Sequence, residues 1–341
     1  MQIVTSMAAA GLGLAAATSG ALAQTSQTSQ SKTYPSQPIT MIVPFAAGGP
    51  SDVIARIIAE GMAKPLKQTM VIENVGGAGG TTGSARVATA KPDGYTLLGG
   101  SMGSHVAAPA LYKNLKYNST TDFEPVALLV NAPAVIVVRK AFPATNLKEF
   151  VAYLKANPNK VSQGHGGVGA SSHMACLLFN AEINANVNVV SYRGSAPALN
   201  DVVAGQIDYL CEQTMGVTEQ IKAGTVKAFA VGAATRSPVL PDVPTAKEGG
   251  VPGYQLSIWS AIFAPKGTPK DIIAKLNAAA DKALEDPSTK QRILALGGTV
   301  VPKAERTAAY LGDLVRRETT RWDPILRKAA AAVPDKEAAT K

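Results

Sequence analysis

The chain has 341 residues, of which 46% are hydrophobic and 17% charged, and it carries a formal net charge of +9. Its length suits two domains, and its apolar content supplies a sizeable core, which excludes a disordered chain. The positive charge is spread along the sequence, and seven Phe and two Trp offer little for base stacking, so no nucleic-acid partner is expected. Three His and two Cys without CxxC or HExxH spacing are too few for a zinc site, and neither metal nor cofactor is expected.

The first thirty-one residues contain no charged side chain. Residues 7–17 form an apolar run of eleven, too short to cross a bilayer, and Ala21-Leu22-Ala23 is a small-residue cleavage signal. Residues 1–23 therefore read as a signal peptide and 24–33 as a disordered linker. The n-region lacks Lys and Arg, which leaves room for an upstream start. No Cys sits at the cleavage point to anchor a lipid, and no later segment reaches about 18 consecutive apolar residues. The expected location of the mature, soluble protein is the periplasm. Export permits a disulfide, for which Cys176 and Cys211 are the only partners; two buried thiols are the alternative.

Along the chain, short Val/Ile/Leu-rich runs predict strands at 39–43, 70–72, 95–98, 135–138, 187–190, 228–231 and 258–263. Between them, apolar residues at helical spacing predict helices: Val53, Ile54, Ile57, Ile58 and Met62; Phe150, Val151 and Leu154; Ile272, Ile273, Leu276, Ala280 and Leu284. Thr268 as N-cap, Pro269 at N1 and Asp271 at N3 start the last of these. Such alternation argues for an α/β fold with parallel sheets. The Ala/Lys/Glu-rich tail at 331–341 is expected to fray. Segments 44–62 and 162–179 each run strand, Gly-rich turn, helix. Ligands of open α/β sheets sit at strand carboxyl ends and on helix N-termini, so a cleft with a helix N-terminus on each wall is expected.

The first of these turns, Pro44 to Asp52, pairs Gly48 and Gly49 with Ser51 as a helix cap, and its free N–H groups suit a carboxylate or phosphate. The second, Gly164 to His173, contains GxGxxG, but no acidic residue lies about twenty positions on to hold a ribose, and nicotinamide cofactors are scarce outside the cell. Its N–H groups and the hydroxyls of Ser171 and Ser172 can still bind an anion. Residues 76–83 look like a phosphate loop without the Lys-Ser/Thr ending, and instead start a helix near the cleft. Gly99-Gly100-Ser101-Met102-Gly103 matches G-x-S-x-G, which makes a secreted serine hydrolase the enzymatic alternative, although no His follows His173 to complete the usual order. His105, His165 and His173 read as local hydrogen-bonders, and Trp259 as packing.

Several segments together resemble one family: Tyr34-Pro35 and Pro38-Ile39 leading into Pro44-Phe45, Gly48-Gly49 and Asp52; Gly79-Gly80 and Gly83; Pro92-Asp93-Gly94-Tyr95-Thr96-Leu97; Gly169-Ala170-Ser171-Ser172-His173; Tyr192-Arg193-Gly194-Ser195-Ala196-Pro197-Ala198; Ala204-Gly205-Gln206-Ile207-Asp208; Leu240-Pro241-Asp242-Val243-Pro244-Thr245; and Ala264-Pro265-Lys266-Gly267-Thr268-Pro269. In order and spacing these resemble the Bug family, the TctC-like periplasmic receptors of tripartite tricarboxylate transporters. The resemblance implies a non-enzymatic, two-lobed type II Venus-flytrap fold. Its lobes would be 34–131 plus 257–341 and 132–256, with a small carboxylate in the interdomain cleft. It implies ligand contacts from Phe45, Ala47, Gly48, Gly49, Ser51 and Asp52 on one wall and from Gly167, Gly169, Ala170, Ser171 and Ser172 on the other. The loops at 101–105 and 192–197 would complete the pocket, with Ser101, His105, Tyr192, Arg193, Gly194 and Thr214 as contacts. The strand end at 212–214 lies near it, with Glu212 where the family often has Asp. Some members carry Cys at the positions of Cys176 and Cys211, which supports their pairing. The implied partners are the ligand and the membrane subunits of a transporter, or a sensor kinase; a monomer is the default.

Overall fold

The computed structural model describes residues 34–332. The expected signal peptide and linker, and the tail beyond 332, lie outside the described residues. The strands are β1 (Ile39–Val43), β2 (Met70–Asn74), β3 (Thr96–Ser101), β4 (Phe123–Arg139), β5 (Ser162–His165), β6 (Asn188–Ser191), β7 (Tyr209–Gln213), β8 (Val226–Val231), β9 (Ser257–Pro265) and β10 (Thr299–Val300). The helices are α1 (Pro50–Leu66), α2 (Thr81–Ala88), α3 (Ala108–Leu111), α4 (Leu147–Ala156), α5 (Ser171–Ile183), α6 (Ser195–Val203), α7 (Thr214–Lys222), α8 (Lys270–Glu285), α9 (Pro287–Ala295) and α10 (Ala308–Ala332).

The sheet runs β2-β1-β3-β9-β4-β7-β5-β6, with β8 and β10 also pairing with β4. It is mixed, which corrects the expectation of parallel sheets. β1 is parallel to β2 and β3, and β5 to β6 and β7, as crossover helices require. β4 and β9 run antiparallel to their neighbours. The 17-residue β4 extends far beyond the expected run at 135–138. Residues 123–133 pair with β9, and residues 134–139 pair with β7 and β8. One strand thus serves both ends of the sheet.

Each apolar stripe of the sequence finds a face. Ile54, Ile57, Ile58 and Met62 of α1 are buried with Leu276, Ala279, Ala280, Ala283 and Leu284 of α8. A Cβ on Gly61 would lie 2.7 Å from the Ala283 Cβ, so the close approach of these helices offsets the cost of a mid-helix glycine. α8 begins one residue later than expected: Pro269 is its N-cap, and the Thr268 hydroxyl donates to the Pro265 carbonyl at 2.7 Å. Elsewhere, Phe150 meets Phe142 and Tyr209 edge-on, each with centroids 5.2 Å apart. α10, which the strand and helix patterns above did not include, buries Leu311, Val315, Trp322, Leu326 and Ala329 along one stripe.

Cys176 of α5 and Cys211 of β7 are disulfide-bonded, with Cα atoms 5.1 Å apart. The bond closes a sequence separation of 35 and pins α5 to the sheet. For a loop of that length the chain-entropy account gives about 4 kcal/mol. The double variant Cys176→Ala/Cys211→Ala is expected to lose about that much unfolding free energy in urea titrations, and added reductant should then leave its stability unchanged.

Candidate functional site

At the carboxyl end of β1 the chain turns through residues 44–49 into α1. Gly49, not Ser51, is the N-cap, with Pro50 at N1. Ser51 falls one residue inside the helix, so its hydroxyl is not used as the expected cap. The loop is held by Asp52, which is 3% exposed. Its carboxylate accepts hydrogen bonds from the Gly48 N–H (2.9 Å), Arg56 Nε (2.9 Å) and Asn74 Nδ2 (3.0 Å). Asn74 Nδ2 also donates to the Phe45 carbonyl at 3.1 Å. Burial acts to raise the Asp52 carboxyl, but the hydrogen bonds from Arg56, Gly48 and Asn74 outweigh it and hold it below its ordinary value. Asp52 therefore shapes the loop rather than presenting a free carboxylate to a ligand.

The opposite wall starts from β5. The Gly166 N–H donates to Ser172 Oγ at 2.9 Å, Gly167 N–H to His165 Nδ1 at 3.0 Å, and Gly169 N–H to His173 Nδ1 at 3.3 Å. The last two donors, expected to face a ligand, are taken by the two imidazoles and are equally unavailable to a dinucleotide pyrophosphate. The walls meet through backbone. A Cβ at Gly79 would overlap the Val168 carbonyl, and the φ of +62° also favours glycine. At Gly194 (φ +141°) a Cβ would come within 2.9 Å of the Ala46 N and Cβ. One on Gly169 would stand 2.8 Å from Ala108 Cα.

Between the walls lies a cavity lined by Phe45, Gly49, Pro50, Ser51, Ala170, Ser171, Ser172, Ser195, Glu212 and Gln213. Four helices present their first residues to it: α1 through Gly49 to Ser51, α5 through Ala170 to Ser172, α6 through Ser195, and α7 through its N-cap Gln213. None of the four has a side-chain cap. α4 and α9, which start elsewhere, are capped by Asn146 and Asp286. Uncapped N-termini leave main-chain donors and partial positive charge for an anion. No Lys or Arg lines the cavity.

Six of the expected contacts therefore line this cavity: Phe45, Gly49, Ser51, Ala170, Ser171 and Ser172. Ala47, Gly48 and Arg193 are exposed. Gly194 packs on Ala46. The Tyr192 hydroxyl donates to Asp201 at 2.6 Å, and that of Thr214 to the Gly297 carbonyl at 2.9 Å. His105 is fully buried and stacks on Phe263 with centroids 3.8 Å apart. Its Nδ1 pairs with Ser104 Oγ at 3.0 Å, and burial lowers its pKa to about 3. Ser101 is buried with no hydrogen-bond partner for Oγ among the described residues. Among the described residues no base is hydrogen-bonded to the G-x-S-x-G serine, and the hydrolase alternative is not supported.

Pro50, Ser195, Glu212 and Gln213 were not among the named contacts, although the resemblance puts the loop at 192–197 in the pocket and the strand end at 212–214 near it. Glu212 is 1% exposed. Its Oε1 accepts the Gln213 N–H at 2.7 Å, and its Oε2 has no partner among the described residues. Burial raises its carboxyl to about 7, against the opposing pull of the Ser195 hydroxyl and the Gln213 N–H. Two signals were available: the resemblance, which puts this strand end near the pocket, and a single acidic residue inside the otherwise uncharged run Tyr209-Leu210-Cys211-Glu212-Gln213.

A sheet bridged by one long antiparallel strand, with helix N-termini meeting across a cleft, defines a periplasmic binding protein. The sequence model of the tripartite tricarboxylate transporter family receptors, TctC, matches residues 54–330, and the chain belongs to that family of receptors, which are not enzymes. MatC of Rhodopseudomonas palustris, solved with bound malate, is 43% identical, with a TM-score of 0.84 over 86% of this chain and 100% of that one. The periplasmic binding protein BugD is 42% identical, with a TM-score of 0.84 over 87% and 99%. R. palustris Rpa4515, solved with adipate, is 30% identical, with a TM-score of 0.82 over 88% and 98%.

The two buried carboxyls give opposite pH signatures. Glu212 titrates higher folded than unfolded, so its favourable contribution is complete below about pH 4.5 and lost by about pH 7, a change of up to about 3 kcal/mol. Asp52 titrates lower folded than unfolded, so its contribution is present at neutral pH and lost in acid. In chemical unfolding from pH 4 to 8, the stability of Glu212→Gln relative to wild type should rise, and that of Asp52→Asn should fall.

Proposed function

We propose that the protein is a periplasmic receptor, exported through a signal peptide at 1–23, that captures a small carboxylate between two lobes. The lobes are 34–131 plus 257–341 and 132–256, and the chain crosses between them twice, within β4 and just ahead of β9. A membrane transporter of the tripartite type takes up the ligand, or a sensor reads it, and the receptor works as a monomer. The observation that carries this reading is the convergence of four uncapped helix N-termini on one cavity without a cationic side chain. Such a site recognises carboxylates through main-chain donors. Malate and adipate in the related receptors make dicarboxylates the first class to try. The backbone contacts between the walls belong to the grip: residues 46, 79, 168 and 194 meet only when the lobes are together, and hinge motion parts them for the ligand to enter.

The test is a thermal-shift screen of the mature protein, refolded to strip carried-over ligand, against malate, succinate, adipate, citrate and acidic amino acids. A ligand at 100 times its dissociation constant adds about 2.7 kcal/mol, which raises the melting temperature by several degrees in a protein of this size. Gly79→Ala keeps the walls apart and should abolish the shift while the far-ultraviolet spectrum is retained. Silence across the panel overturns the carboxylate reading.

A further inference from the structure

The site holds one carboxylate of its own. Glu212 lines the cavity among four helix N-termini. Its buried Oε2 makes no hydrogen bond within bonding distance among the described residues, and the Ser195 hydroxyl beside the carboxyl favours its charged form. An acid arriving there meets a like charge if Glu212 is ionised. Each helix N-terminus offers roughly half an elementary charge, so the four together give about +2 at most. An ionised Glu212 beside a dicarboxylate would place three negative charges in a water-poor cavity against that. A neutral Glu212 leaves two, which the N-termini balance, and it converts Oε2 into a donor.

We propose that Glu212 is a ligand-contacting residue that carries the proton in the bound state and donates it, through Oε2, in a hydrogen bond to a carboxylate of the ligand, so that capture of the acid takes up one proton from solvent. The inference rests on the carboxylate-receptor reading and deepens it. The donated bond is of the charge-assisted O–H···O⁻ kind, which is strong where water is excluded. By linkage, an acid that favours the protonated form binds more weakly as pH rises. The same residue sets specificity: a ligand bringing an ammonium to Oε2 would instead favour ionised Glu212 and bind better at high pH.

Other titratable groups stand on the elements around Glu212. On α1, Asp52 is held by Arg56 and Asn74. His165 on β5 and His173 on α5 accept loop N–H groups through Nδ1. Ahead of α6 Arg193 is exposed and Tyr192 is bonded to Asp201. On α7, Glu219 pairs with Lys222 near the surface. Lys227 of β8 donates to the carbonyls of Phe142 and Ala144. Tyr209, on the same strand, bonds Asn180, and the buried Tyr254 feels the Glu212 charge. Of these, the two histidines stand on the same wall as the cavity, so a Glu212 variant has to separate them.

The experiment is titration calorimetry of the mature protein with malate, succinate and adipate between about pH 6.5 and 9, where the acids are fully ionised, in buffers of different ionisation enthalpy. The expected wild-type result is uptake of about one proton per acid at the alkaline end and a dissociation constant that rises about tenfold per pH unit above about pH 7. Glu212→Gln cannot take up the proton, and whatever its absolute affinity, its dissociation constant should be flat over the range. Acid binding without proton uptake, an affinity that rises with pH, or a slope that survives in Glu212→Gln would overturn the assignment and leave the receptor reading standing. Failure of all three acids, at every pH, to bind or to shift melting would overturn the inference together with that reading. If the Gln variant does not fold, a wild-type count of no proton taken up still overturns the assignment, and proton uptake that disappears in His165→Gln or His173→Gln overturns it as well.

Discussion

Everything at this site depends on main chain meeting main chain. Gly79 lies against the Val168 carbonyl, Gly194 against Ala46, and Gly169 against Ala108, each too close for a side chain. Only backbone without Cβ atoms brings the starts of α1, α5, α6 and α7 onto one small cavity. Their uncapped N–H groups then supply what an arginine clamp supplies elsewhere. Charge spread over several fixed dipoles costs no side-chain entropy on binding, whereas a long guanidinium arm would have to be immobilised. This division explains why a chain of net charge +9 places no Lys or Arg in the cavity. Its described basic residues are largely solvent-facing, many paired with carboxylates, as Arg56 is with Asp52, while the buried Arg306 pairs with Asp281 and Glu285.

Sequence legibility followed the locality of the interactions. The turn before α1, the glycine run before α2 and the loop before α5 were readable because glycine clusters between an apolar run and a helical stripe have one local meaning. Six of the residues named from those loops line the cavity. The differences are equally physical. Ser51 looked like a cap because capping residues precede helices, but Pro50 takes N1 and moves the start back to Gly49. Asp52 looked like a ligand contact, yet three donors drawn from its own loop, its own helix and β2 consume its carboxylate. His105 follows the G-x-S-x-G segment in sequence, but its ring turns into the core against Phe263. β4 and β9 pair across long sequence separations, and no local period reports that they run antiparallel to the rest.

Glu212 shows the limit most clearly. Nothing in Tyr209-Leu210-Cys211-Glu212-Gln213 says which of two alternating faces points at the cleft, because the whole strand is buried. The resemblance puts this strand end near the pocket, but the residue's surroundings emerge when β7 is placed beside β4 and β5 and the chain then turns directly into α7. The disulfide from Cys211, one residue away, ties this strand to α5 and thereby fixes the distance between the Glu212 backbone and the α5 N-terminus. A carboxylate is tolerated there because the Ser195 hydroxyl and the Gln213 N–H favour its charged form while burial disfavours it. The two effects leave its proton poised near neutrality rather than at either extreme.

Main-chain donors at helix ends recognise any carboxylate, so they confer affinity without much choice. Choice must come from the few side chains that share the cavity: Phe45 as an apolar floor, the hydroxyls of Ser51, Ser171, Ser172 and Ser195, and the ends of Glu212 and Gln213. Of these, Glu212 alone can change its charge, so it alone can answer differently to a carboxylate, a hydroxyl or an ammonium at the same place. Replacing it would alter which acid is preferred while leaving the glycine-built grip intact. A common scaffold can in this way be retuned from one acid to another through residues on β7, without disturbing the loops that make it a receptor.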